Sequence, residues 1–210
     1  MIVPLAVEHA QRVARLHCSC LTGLLSQLGP GASRAFYAGC ARAESATAFV
    51  CLEEGEIRGF VLGSVCPGRL KREVVRLNPL GILSGICIGV LRRPAALRWL
   101  VKSFRGPDEG SYDAEAPELT YLAVAEERRG SGIGRRLVEA FTAAMGNAGV
   151  PVYELSVDAD NRPAAVFYER LGFLPAGRYR EFGVLHRRYR LDLHPALVAA
   201  PALPARRGRS

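Results

Sequence analysis

The stretch Leu122-Ala123-Val124-Ala125-Glu126-Glu127-Arg128-Arg129-Gly130-Ser131-Gly132-Ile133-Gly134-Arg135-Arg136-Leu137 passes from an apolar segment through a glycine-rich turn into a helical register, and its reading decides the fold. Upstream, Glu118 to Val124 reads as a strand. Downstream, Gly132 to Met145 sets Ile133, Leu137, Phe141 and Met145 on one stripe of a helix. A strand that turns through glycines into a helix is anion-binding geometry. Glycine lets the backbone come close to an anion, and the first amides of a helix are unpaired donors at the positive end of its dipole. Spacing then separates the phosphate binders. A dinucleotide fingerprint starting at Gly130 needs glycine where Arg135 stands, and a nucleoside-triphosphate loop needs Gly-Lys-Ser/Thr, whereas this stretch has no lysine. The pattern that remains is Arg129-x-x-Gly132-x-Gly134, suited to a phosphate or pyrophosphate.

Val152 to Val157 reads as the next strand, so strand, helix and strand form a parallel pair with a right-handed crossover. The chain continues as Leu155-Ser156-Val157-Asp158-Ala159-Asp160-Asn161-Arg162-Pro163-Ala164-Ala165-Val166-Phe167-Tyr168-Glu169-Arg170-Leu171-Gly172-Phe173. Pro163 suits the first turn of a helix that runs through Leu171, and Gly172 closes it. Asn161 stands where a helix cap or turn residue belongs. Tyr168 is either an aromatic packing that helix or a hydroxyl donor.

Outward from this centre, 210 residues with 49% hydrophobic and 23% charged positions suit one core and one domain, expected over 1–194. Val7 to Leu25 and Ser33 to Ala43 read as helices on either side of the break Gly29-Pro30-Gly31. Ala46 to Leu52 and Glu56 to Val65 read as a hairpin around Glu53-Glu54-Gly55, and Tyr179 to Leu193 as one or two terminal strands. Residues 195–210, rich in Ala, Pro and Arg, are expected to be a disordered basic tail. The six cysteines include no C-x-x-C pair and the histidines do not stand near them at zinc spacing, so reduced thiols and no metal are expected. The first ten residues lack a secretory pattern, which points to the cytoplasm. Pro79 to Leu91 is an apolar run of 13 residues, short of the roughly 20 that cross a bilayer.

The net charge of +8 is concentrated. Arg69 to Arg105 holds nine basic residues and one acid, Glu73, leaving 19 of each sign elsewhere. This segment reads as a helical basic insert over about 69–115, expected to cover the acceptor side of the site. It carries only Trp99 and Phe104 as aromatics, too few for a base-stacking platform, so no nucleic acid partner is expected. Its arginines around an apolar run suit either an anionic acceptor or peripheral contact with a membrane surface.

The pattern Arg129-x-x-Gly132-x-Gly134 after a strand, followed by Asn161-x-x-Ala164-x-x-x-Tyr168-x-x-x-Gly172-Phe173, resembles the two signatures of the GNAT acetyltransferase superfamily. The resemblance is strong over Glu118 to Phe173, weak from Met1 to Val65, and does not reach the basic insert or the tail. It implies an α/β (α+β) fold: a mixed central sheet with a splayed parallel strand pair, helices on both faces and a helical insertion before the cofactor-binding strand. It also implies an enzyme that moves an acetyl group from acetyl-CoA directly to a primary amine of a small molecule, an amino sugar or a peptide. Backbone groups of the Leu122, Ala123 and Val124 strand would hold the pantetheine arm and thioester carbonyl. Amides of Arg129, Gly130, Ser131, Gly132, Ile133 and Gly134 would hold the pyrophosphate, with Asn161 near the arm. Tyr168 corresponds to the family's general acid toward the CoA sulfur. In the bacterial ribosomal-protein enzymes the base lies five residues before this asparagine, where this chain has Ser156. Histone-type members place a glutamate at the position of Glu118, which makes Glu118 the candidate base, with Tyr121 and Glu154 as alternatives. Two further readings stay open, a donor with a longer acyl chain and a catalytically silent CoA-binding module, and so does a homodimer.

Overall fold

The computed structural model describes residues 1–103, 115–181 and 183–193, so the expected tail and the end of the insert lie outside the described residues. The strands are β1 (Ile2–Pro4), β2 (Ala46–Glu53), β3 (Glu56–Ser64), β4 (Glu118–Val124), β5 (Val152–Asp158), β6 (Leu174–Glu181) and β7 (Val184–Asp192). The helices are α1 (Ala10–Cys20), α2 (Leu24–Leu28), α3 (Pro30–Cys40), α4 (Pro67–Leu77), α5 (Pro79–Arg92), α6 (Ala96–Ser103), α7 (Ile133–Asn147) and α8 (Arg162–Arg170). The strands form one mixed sheet in the order β1-β2-β3-β4-β5-β7-β6, in which only β4 and β5 run parallel.

Side chains alternate between the two faces of each strand, and the two cores follow from that alternation. On one face Val61, Leu119, Leu155 and Tyr189 pack with Ile133, Leu137, Phe141 and Met145 of α7 and with Ala165 and Tyr168 of α8. On the other face Val50, Phe60 and Leu62 pack with Val13 and Ala14 of α1, Tyr37 of α3 and Leu70 and Val74 of α4. Emptying one such position, for example Phe141→Ala, costs about 3–5 kcal/mol. Gly63 of β3 makes room for both neighbours: a Cβ there would stand 2.1 Å from the Glu118 carbonyl and 2.5 Å from the Phe141 ring.

Pro30, Pro67 and Pro79 each stand in the first turn of a helix, so α3 begins at Pro30 rather than at Ser33, and the apolar run from Pro79 forms a helix of its own, α5. The stretch read as one helix from Val7 is a 3-10 turn (Val7–His9), then α1, then α2. β6 begins at Leu174, earlier than expected, because a bulge between Pro175 and Gly177 breaks its alternation. The insert is helical, but α5 and α6 stack on α2 and α3 as a further layer, while α4 packs on α3 and reaches β3. Among the described residues no single helix is long and apolar enough to cross a membrane.

Candidate active site

The parallel pair is short. β4 and β5 are in register only at Glu118↔Glu154 and Leu119↔Leu155, and beyond these the strands separate. On its other side β4 stays paired with β3 as far as Val124↔Gly59, with a bulge at Thr120. The Ala125 N–H donates to the Arg58 carbonyl at 2.9 Å. Antiparallel alternation therefore turns the N–H and C=O of Ala123 and Tyr121 toward β3 and those of Leu122 and Val124 into the gap. The Cys20 thiol, at the end of α1, lies 3.6 Å from the Val124 carbonyl and donates to it. Nothing local in the sequence marks Cys20, since 104 residues separate the two.

At the open end of the gap the chain makes a 3-10 turn, Glu126–Arg128, and enters α7. Gly130 and Gly132 have φ of 78° and 80°, the left-handed region that costs an L side chain about 1–2 kcal/mol. No side chain caps α7 and its first turn carries no acid. The Arg129 amide donates to the Glu126 carbonyl at 3.2 Å and the Ser131 amide to the Arg128 carbonyl at 3.4 Å. The amides of Gly132, Ile133 and Gly134 have no acceptor among the described residues. The loop is anchored from outside. Glu53 on β2 holds both Arg128 and Arg136, and Arg58 on β3 meets Glu127 at 3.2 Å. Gly134 lies against α8, where a Cβ would stand 3.3 Å from the Phe167 ring. A cradle of free amides at a helix N-terminus fits an anion such as a pyrophosphate.

Tyr168 lies on the α7–α8 side of the sheet. Its ring makes edge contacts with Phe167 at 5.0 Å and Phe173 at 5.4 Å. Burial holds its hydroxyl well above the ordinary tyrosine value, so the group is a protonated donor across the neutral range. Asn161 caps α8, its Oδ1 accepting the Ala164 N–H at 3.1 Å. Glu118 lies on the opposite face, half-buried, where the strands begin to part. Burial raises its pKa, and the positive charges of Arg188 on β7 and Lys71 on α4 offset part of that rise. Glu154, its neighbour in register, is ion-paired to Arg188 Nε. Ser156 Oγ is shielded and has no hydrogen-bond partner among the described residues. Tyr121 is wedged against His17, with ring centroids 4.9 Å apart. Glu118, a carboxyl with a raised pKa, and Tyr168, a protonated phenol, thus lie on opposite faces of the sheet, and free amides stand at the start of α7.

Residues 10–173 match the model of the acetyltransferase (GNAT) family. The chain belongs to the GNAT acetyltransferases. This family uses acetyl-CoA as co-substrate. One relative is a mycothiol acetyltransferase of Jonesia denitrificans, 42% identical over 65 residues, 31% of this chain and 21% of that protein. Another is N-alpha-acetyltransferase 30 of Schizosaccharomyces pombe, 42% identical over 55 residues, 26% of this chain and 37% of that protein. The matches thus span about a fifth and under two fifths of these relatives' lengths. An N-acetyltransferase from Staphylococcus aureus Mu50 superposes with a TM-score of 0.61 over 91% of this chain and 100% of that one, at 16% identity, which is a likeness of fold.

Proposed function

We propose that this GNAT acetyltransferase moves an acetyl group from acetyl-CoA directly to a primary amine of a small molecule or a peptide. The observation that carries this reading is the separation of β4 from β5 just where the Leu122 and Val124 backbone groups face the gap and the Gly132–Gly134 amides stand free. Bound acetyl-CoA supplies an activated acetyl thioester. Leu122 and Val124 position the pantetheine arm by strand-like hydrogen bonds, and the amides from Gly132 to Gly134 hold the pyrophosphate.

An alkyl ammonium with a pKa near 10.4 requires about 4.6 kcal/mol to deprotonate at pH 7. Glu118 lowers that cost by accepting the proton, and its raised pKa brings it closer to the working pH. Tyr168 donates its hydroxyl proton toward the departing thiolate from the opposite face. Asn161 acts through the α8 cap that sets the orientation of Tyr168. The test is an amine panel of amino sugars, polyamines, amino acids and peptide N-termini incubated with acetyl-CoA, reading free CoA and acetylated product together. Equal amounts of both on one amine class support transfer to that amine, and initial-rate lines that intersect when both substrates are varied support direct transfer. CoA release with no acetylated amine, or binding with no turnover, overturns it.

A further inference from the structure

The face that α5 turns outward is apolar, and its inward face accounts for two of the three glycines of the run. A Cβ at Gly85 would stand 2.7 Å from the Ala32 Cα, and one at Gly89 would stand 2.4 Å from the Leu28 carbonyl, so the glycine side is pressed against α2 and α3. The opposite side is left to solvent. Leu80 is 80% exposed, Leu83 60%, Ile88 49% and Leu91 82%, with Cys87 exposed among them. Their spacing of three, four and eight residues makes one continuous stripe along the helix. Leu97 and Val101 of α6 are exposed in the same way.

Charge surrounds this stripe and is of one sign. Arg76 precedes α5, Arg92 and Arg93 end it, and Arg98 and Lys102 stand on the exposed side of α6. The only acid in α4, α5 or α6 is Glu73, which is turned to Ser45 and Arg69. Beside the stripe a groove of about 220 Å³ runs between α3 and α5, bordered by Ser84 and Ile88 and rimmed by Arg34, Arg92 and Arg93. The groove sets three cations next to the apolar side chains.

We propose that the exposed face of α5 and α6 docks on an anionic phospholipid surface, with Leu80, Leu83, Ile88 and Leu91 entering the boundary between headgroups and acyl chains. Arg34, Arg92 and Arg93 meet lipid phosphates at the groove. A helix lying in the interface with an apolar face and flanking Lys/Arg is the arrangement that binds such surfaces. A two-fold dimer through this face would press the patch against itself and set like charges together. A nucleic acid would satisfy the arginines but leave the leucines exposed to water.

The test is co-sedimentation of the full chain with vesicles of phosphatidylcholine alone and with vesicles in which about a third of the lipid is phosphatidylglycerol. The wild type is expected to partition onto the anionic vesicles and to be released as salt rises above about 0.1 M, where the Debye length falls below about 10 Å. Arg92→Gln with Arg93→Gln should weaken partitioning by about 10- to 30-fold. Leu80→Ser with Leu91→Ser should weaken it at least about 10-fold. These side chains are exposed, so circular dichroism and the thermal midpoint should stay at wild-type values. Three results would overturn the proposal: no partitioning onto anionic vesicles, equal partitioning onto neutral ones, or variants that sediment like the wild type. A dimer seen by analytical ultracentrifugation and dissolved by the leucine changes would also overturn it, assigning the face to a second copy of the chain.

Discussion

Replacing Gly132 with valine separates backbone geometry from ligand binding. Gly132 has φ +80° and a Cβ there would have nothing within 4 Å, so the substitution strains the backbone without colliding with the protein. The strain is about 1–2 kcal/mol. For a domain of this size that lowers the thermal midpoint by roughly 2–8 °C. In the proposed seating, a side chain at position 132 would compete with the pyrophosphate for the free amides of Ile133 and Gly134 that follow it. Each hydrogen bond to a charged group contributes about 1.5–3 kcal/mol, so losing two weakens acetyl-CoA binding on the order of 100-fold or more. At a ligand concentration near 100 Kd the wild type gains about 2.7 kcal/mol, or roughly 5–10 °C. Differential scanning fluorimetry with and without acetyl-CoA reads both effects. Gly132→Val should show a modestly lowered midpoint and a ligand shift of about 1–2 °C or less. A variant that keeps the full wild-type shift refutes the assignment of the pyrophosphate to this loop.

Tyr168→Phe should leave acetyl-CoA affinity nearly unchanged and lower kcat about 10- to 1000-fold, because only the hydroxyl meets charge that develops late; an unchanged kcat rules out the general acid. With Glu118 as base, kcat/KM should rise with pH through a pKa above the usual glutamate range, and Glu118→Gln should remove that limb; a limb that persists in the variant assigns it to another group. His17 is buried against Tyr37, with 2.7 Å from Nδ1 to Oη, and burial pushes its pKa down from 6.5 to about 4. The unfolded chain therefore binds a proton that the folded one refuses, so stability present above pH 6.5 is lost as pH falls toward 4. The loss amounts to about 3 kcal/mol, and urea titrations across that window should show a steeper fall in the wild type than in His17→Gln, which keeps only the smaller contribution of groups such as His9.

The parts of the fold carried by local chemistry were legible. The hairpin at Glu53–Gly55, the glycine turn into α7 and the Pro163 start of α8 each follow from residues within a few positions of one another. What was not legible depends on distant partners. β1 is three residues held by Phe49 to Cys51, and the contact of Cys20 with Val124 joins residues 104 apart. Pro30, between two glycines, reads as a break, although the fixed φ of proline suits the first turn of α3 as it does that of α8 at Pro163. At the site, the types and spacing of Tyr168 and Asn161 were visible, but the cap that Asn161 makes was not separable from a contact with the cofactor. Burial raises the Glu118 pKa and the charges of Arg188 on β7 and Lys71 on α4 offset part of the rise, and neither partner is announced by the residues next to Glu118 in sequence. Of the insert expected to cover the acceptor side, Lys71 of α4 acts on Glu118, while α5 and α6 sit a layer away on α2 and α3.

The seating of acetyl-CoA between β4 and β5 is tested most directly by amide hydrogen exchange, measured by mass spectrometry with and without acetyl-CoA. Slowed exchange confined to peptides covering 120–124 and 130–137 is the predicted result, because these carry the gap-facing amides of Leu122 and Val124 and the free amides at the start of α7. Saturating acetyl-CoA that leaves both peptides exchanging at their unliganded rates would contradict the account.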